Sequence, residues 1–128
     1  DFCLSRGLGD VYKRQDAEID AEIGAALQTT IKQGFGRNHS LCHGDMGNLD
    51  ILLTVTQLLA NSRYKEVLQR IASALLDSIE TQSWISGVPQ GVETPGLMVG
   101  LAGMGYALLR LAAPERMPSV LLLASPLR

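Results

Sequence analysis

Leu41-Cys42-His43-Gly44-Asp45-Met46-Gly47 and Leu97-Met98-Val99-Gly100-Leu101-Ala102-Gly103 are two copies of one pattern, Leu-x-x-Gly-x-x-Gly, set 56 residues apart. An apolar stretch follows each copy in the same register, so Leu52 falls against Leu108 and Leu53 against Leu109. Self-similarity of this kind marks a repeated supersecondary unit. Paired glycines let the start of a helix approach neighbours that a Cβ would hold away. The pattern therefore points to repeated pairs of one outer and one inner helix, the elements of an all-α α/α toroid or an α-solenoid.

The rest of the chain supplies the outer helices. Ile19, Ile23, Leu27 and Ile31 recur every four residues, which predicts an amphipathic helix from Asp16 that Gly34-Phe35-Gly36 ends. Asp16, Glu18, Asp20 and Glu22 crowd its first turns, where the macrodipole favours negative charge. They read as a solvated face rather than a catalytic carboxylate pair. The run from Leu49 to Ala60 is apolar around nearly its whole circumference, which predicts a helix buried on most sides. Asn61-Ser62 makes a turn, and Arg63 to Glu80 is amphipathic again, with Tyr64, Val67, Leu68, Ile71, Leu75 and Ile79 inward. A loop rich in Gly and Pro, Ser83 to Gly96, leads to a last helix over about Leu97 to Ala113, once more apolar almost all round. Pro118 to Leu123 reads as a short strand or an apolar strap on the core.

Chemistry concentrates in one place. Asn38 to Asn48, N-H-S-L-C-H-G-D-M-G-N, holds both histidines of the chain and one of its two cysteines. In a closed toroid the N-termini of inner helices face one mouth of the barrel, and that mouth would receive Cys42 and His43. Thiolate and neutral imidazole are preferred zinc ligands, and a catalytic zinc takes three protein ligands and an open position. Cys42, His43 and His39 fall short of the usual paired spacing. On the residues alone, Cys42 as a small buried hydrophobe and His43 as a packed or capping histidine is the leading reading. The second copy has Met98 and Val99 at those positions, so only one repeat carries donors.

Several classes are excluded or demoted. A net charge of −2 and a pI near 5.6 leave no basic footprint for nucleic acid. Two cysteines make no disulfide framework and fit a reducing cytoplasm. Gly100 to Gly105 lacks the order and context of a dinucleotide fingerprint. The uncharged run from Thr94 to Leu109 is too short to span a bilayer. Residues 1–15 have no period that continues into the chain and resemble a translated adapter tail; they are read as a non-native or disordered leader, with an ordinary frayed terminus as the alternative. The domain is then 16–128.

Three blocks carry a resemblance: H-S-L-C-H-G-D-M-G-N, then G-V-E-T-P-G-L-M-V-G-L-A-G-M-G-Y-A-L-L-R-L, then P-S-V-L-L-L. Together they resemble the C-terminal end of the lanthionine cyclase (LanC-like) domain of bacterial class II lanthipeptide synthetases. The resemblance runs from about Asp16 to the end. It implies an α/α toroid in which Cys42 and His43 are zinc ligands. It also implies a substrate, a precursor peptide whose Ser and Thr have been dehydrated, and an activity, addition of that peptide's Cys thiolates to the new alkenes to close thioether rings. By the same likeness the remaining zinc cysteine follows a tryptophan upstream and the proton donor is an upstream histidine; neither is seen here, and Cys3 has no tryptophan before it. A dehydratase domain and the rest of the toroid are implied as missing partners. His39 and Asp45 are expected to orient the ligand loop or complement the helix. Tyr106 and Arg110 either line the cavity or pack. The chain is thus read as an incomplete cyclase, inactive alone. A non-catalytic helical-repeat binding module is the alternative, and a glycosidase-like toroid enzyme a weaker third, with Asp45 its one suitably placed carboxylate.

Overall fold

The computed structural model describes residues 17–59 and 62–125. Among them are four α-helices, α1 (Ala17–Gln33), α2 (Asp45–Leu59), α3 (Ser62–Gln82) and α4 (Leu101–Ala112), and one short 3-10 turn, Pro89–Gly91. No strand occurs among the described residues. The leader over 1–15, with Cys3, and the turn residue Asn61 lie outside them. The chain forms two compact units, Asp1–Lys32 and Gln33–Arg128.

The first unit carries α1. Its predicted apolar stripe is covered at Leu27, whereas Ile19 and Ile23 are exposed. In the second unit α2 is the central element and packs against both α3 and α4. Met46, Leu49, Leu52 and Leu53 of α2 meet a core completed by Leu68, Ala72 and Leu75 from α3 and by Met104 and Ala107 from α4. Burial of each leucine of this set stabilises the fold by about 1.5–3 kcal/mol.

The repeat holds down to individual hydrogen bonds. Asp45 N–H donates to the Asn38 carbonyl at 2.8 Å, and Leu101 N–H to the Thr94 carbonyl at 2.9 Å, both pairs again separated by the same 56 positions. Asn38 Oδ1 accepts from Ser40 N–H at 3.0 Å, and Thr94 Oγ1 from Gly96 N–H at 3.5 Å. A Cβ on Gly44 or Gly100 would overlap the carbonyl of Asn38 or Thr94; one on Gly47 or Gly103 would overlap that of Leu41 or Leu97. The four glycines therefore do one job twice, letting a loop carbonyl reach the first turn of the inner helix and satisfy N–H groups left without intrahelical partners.

Three expectations are corrected. First, α2 begins at Asp45, not about Leu49, and α4 at Leu101, not about Leu97. Gly47 thus lies inside the first turn of α2 rather than before it, and Gly103 in the first turn of α4 rather than deeper in the helix, because close approach to a carbonyl outweighs their poor helix propensity. Second, the inner helices are not buried on most sides. Ile51, Leu58 and Leu59 of α2 are exposed, as are Leu101 and Leu109 of α4, the last at 59%. No described element covers those faces. Third, the tail forms turns, with Ser119 buried and Leu122 and Leu123 exposed, rather than a strand.

Candidate metal centre

Cys42 and His43 stand side by side in the turn that enters α2, and both are exposed. The backbone beneath them is held from three directions. Cys42 N–H donates to the Met98 carbonyl at 2.8 Å, which pairs the two repeats at equivalent positions. His39 N–H donates to the Ile85 carbonyl at 2.8 Å, and His39 Nδ1 accepts from Ile85 N–H at 3.1 Å. Gly87 N–H donates to the Val99 carbonyl at 2.8 Å. The ligand loop, the loop after α3 and the entry to α4 thus form a single brace.

His39 is 2% exposed and its ring meets Trp84 edge-on, with centroids 6.4 Å apart. Burial lowers its pKa below the usual imidazole range, against an opposing pull from Asp45. Because Nδ1 accepts a hydrogen bond, the neutral ring carries its proton on Nε2. Asp45 is buried in the first turn of α2, and its Oδ1 accepts from Gly36 N–H at 2.9 Å. Burial raises its pKa above the usual carboxylate range, partly offset by the Gly36 hydrogen bond, by His39 and by Arg37 N–H. Both side chains serve the shape of the loop by these contacts.

Tyr106 and Arg110 lie elsewhere. Tyr106 OH donates to the Pro118 carbonyl at 2.8 Å. Arg110 is buried, ion-paired through Nε with Asp50 of α2, and donates to the Met117 carbonyl at 2.5 Å and to Thr54 Oγ1 at 3.2 Å. Ser119 Oγ donates to the other carboxylate oxygen of Asp50 at 2.5 Å. The sequence reading passed over Asp50 and Ser119. An acid on an otherwise apolar helix was the available signal, since a buried carboxylate needs a partner. It also passed over Gly87 and Ser40, for which the sequence offers none.

Among the described residues no three His, Cys, Asp or Glu side chains gather closely enough to hold a metal ion. The thiol of Cys42 and the imidazole of His43 are nevertheless donors of the kind zinc takes, exposed and adjacent, and they suit two positions of a larger set.

The lanthionine synthetase C-like protein family matches residues 5–122. The chain is also 31% identical over 97 residues to the lacticin 481/lactococcin biosynthesis protein LcnDR2 of Lactococcus lactis subsp. lactis. That stretch is 73% of this chain and 10% of the relative, so the chain spans about a tenth of its length. No solved structure matches. The doubled glycine pattern, the all-α architecture and a match over nearly the whole sequence agree, and the chain belongs to the lanthionine synthetase C-like protein family.

Proposed function

We propose that this chain is part of a zinc-dependent lanthionine cyclase, to which it contributes two metal ligands, Cys42 and His43. The substrate is a precursor peptide bearing dehydroalanine and dehydrobutyrine, and the reaction joins its cysteine sulfurs to the alkene β-carbons as thioethers. One observation carries this reading: an exposed thiol and an exposed imidazole adjoin each other at the N-terminus of an inner helix, in a chain of this family.

When bound, zinc would supply a lowered thiol pKa, so that a peptide cysteine is deprotonated near neutral pH. The chain's own residues hold and orient. Met98 and Ile85 fix the backbone on which the two donors sit. His39, buried and neutral, ties the ligand loop to the loop after α3, as partners behind metal ligands do. Asp45 closes the start of α2 on Gly36. Tyr106 and Arg110 serve packing. A third ligand, the proton donor, the remaining toroid and a dehydratase domain belong to other parts of the parent protein, which works in the cytoplasm.

Elemental analysis of the full-length protein tests this. Stoichiometric zinc that is lost in both Cys42→Ala and His43→Ala is the expected result. A folded full-length protein without zinc would overturn the metal reading and leave a non-catalytic helical-repeat binding module.

A further inference from the structure

We propose that Gly87 is a positioning residue for His43, its missing side chain forming the seat of the imidazole. The inference rests on the reading of His43 as a metal ligand and adds the part of the chain that aims it. A Cβ built on Gly87 would stand 2.9 Å from His43 Cε1 and 2.7 Å from both Cβ and Oγ of Ser40. Space, not torsion, demands glycine here. The positive-φ glycines of the described residues are Gly36 and Gly91, so the Gly87 backbone is open to any residue.

Nor can the segment retreat from an added methyl. Gly87 N–H is held by the Val99 carbonyl at 2.8 Å, its neighbour Ser86 donates through Oγ to the Val92 carbonyl at 2.7 Å, and Ile85 is tied to His39 through both backbone groups. Ser40, the other side chain that an added methyl would meet, is fully buried. Its backbone is held at both ends, its N–H donating to Asn38 Oδ1 at 3.0 Å and its carbonyl accepting from Gly47 N–H at 3.4 Å, so it cannot step aside. Cε1 lies between the two ring nitrogens of His43, so pushing it aside turns the whole edge that would meet a metal. An exposed imidazole with no such seat would have to be ordered by the metal itself, at a cost in rotamer freedom.

Cobalt(II) alone is the probe, added to the full-length protein and to its Gly87→Ala and Gly105→Ala variants. Gly105 is the control, since a Cβ there meets nothing within 4 Å. Substitutions behind metal ligands cost roughly 10–100-fold in affinity, and Gly87→Ala is expected to weaken cobalt binding by that range and to shift its visible ligand-field bands. The thiolate-to-cobalt charge-transfer band should persist, because Cys42 is untouched, and Gly105→Ala should match the parent in cobalt affinity and bands. In the metal-free protein, a nuclear Overhauser contact between the His43 Cε1 proton and the Gly87 α-protons should be present and should be lost or displaced in Gly87→Ala. Wild-type affinity and bands in Gly87→Ala would overturn the proposal. So would absence of the Overhauser contact in the parent. A parent that shows the contact but binds no cobalt would instead overturn the metal reading beneath it. Should Gly87→Ala fail to fold, the double variant Ser40→Gly/Gly87→Ala clears the Ser40 overlap, keeps the His43 contact and is read by the same bands.

Discussion

Gly103 and Gly105 lie two residues apart on α4 and are expected to answer an added methyl in opposite ways. A Cβ on Gly103 would overlap the Leu97 carbonyl and press on Leu41 Cβ at 3.2 Å, whereas one on Gly105 meets open space. Gly103→Ala should therefore destabilise by about 1–3 kcal/mol, the usual range for overpacking. Gly105→Ala should stabilise by about 0.5–1 kcal/mol, because glycine in a helix loses more conformational freedom on folding. Urea unfolding followed through the one tryptophan, Trp84, measures both. His39 and Asp45 set a pH dependence at the same scale. The folded-state pKa of His39 lies below its ordinary 6.5, so within that window the unfolded chain binds more protons. Its contribution is complete above 6.5 and declines as pH falls through the window. Asp45 runs the other way: its folded pKa lies above 3.8, so its contribution is complete below 3.8 and is lost as pH rises through the raised value. The urea midpoint should accordingly fall on acidification from pH 7.5 toward the lowered His39 value. His39→Gln should flatten that slope, and an unchanged slope would refute the assignment.

At the scale of elements, α2, α4 and the tail are joined by one polar cluster. Asp50 receives Arg110 on one carboxylate oxygen and Ser119 on the other, and Arg110 also caps the Met117 carbonyl. Removing one partner of a buried pair leaves the other charge without compensation, which costs about 3–5 kcal/mol. Arg110→Met alone should lose that much, while Asp50→Leu with Arg110→Met should recover most of it. Ser119→Ala should cost about 1–3 kcal/mol, the loss expected when a buried acceptor is stripped of a donor. The parent, Asp50→Leu, Arg110→Met and the double variant, compared by chemical denaturation, provide the double-mutant cycle. Simple additivity would mean that the pair is not coupled.

Over the whole molecule, the distribution of apolar surface is the leading feature. Ile51, Leu58, Leu59, Leu101, Leu109, Leu122 and Leu123 are all exposed. Contiguous apolar surface beyond a few hundred Å2 is uncommon on monomers and marks an interaction site. The isolated chain is expected to self-associate in a concentration-dependent way, read by light scattering; a clean monomer across a wide concentration range would count against it. No described helix is long and apolar enough to cross a membrane.

How much of this was legible beforehand differs from feature to feature. The 56-residue repeat was visible in the amino-acid order, and with it the all-α class and the equivalence of Gly44 with Gly100 and of Gly47 with Gly103. Taken strictly, that repeat would also have required the two inner-helix starts to be equivalent, as Asp45 and Leu101 are. Reading each helix from its own apolar run misplaced them in opposite directions. Local periodicity sees side chains facing a core, but a helix start is decided by where its first N–H groups find carbonyls. The candidate donors Cys42 and His43 were likewise legible, because thiol and imidazole declare themselves by type.

Tertiary structure alone decided the rest. That Gly87 lies under His43, that Asp50 pairs with Arg110, and that Ile85 binds both backbone and ring of His39 are contacts across 44, 60 and 46 residues respectively. Neither residue type nor spacing encodes such meetings; they follow from how helices cross and which loops their ends bring together. The amino-acid sequence determined the helices, their repeat and the chemistry available at the mouth of α2. Packing determined which backbone holds that chemistry in place, because hydrogen bonds and excluded volume act between neighbours in space rather than along the chain.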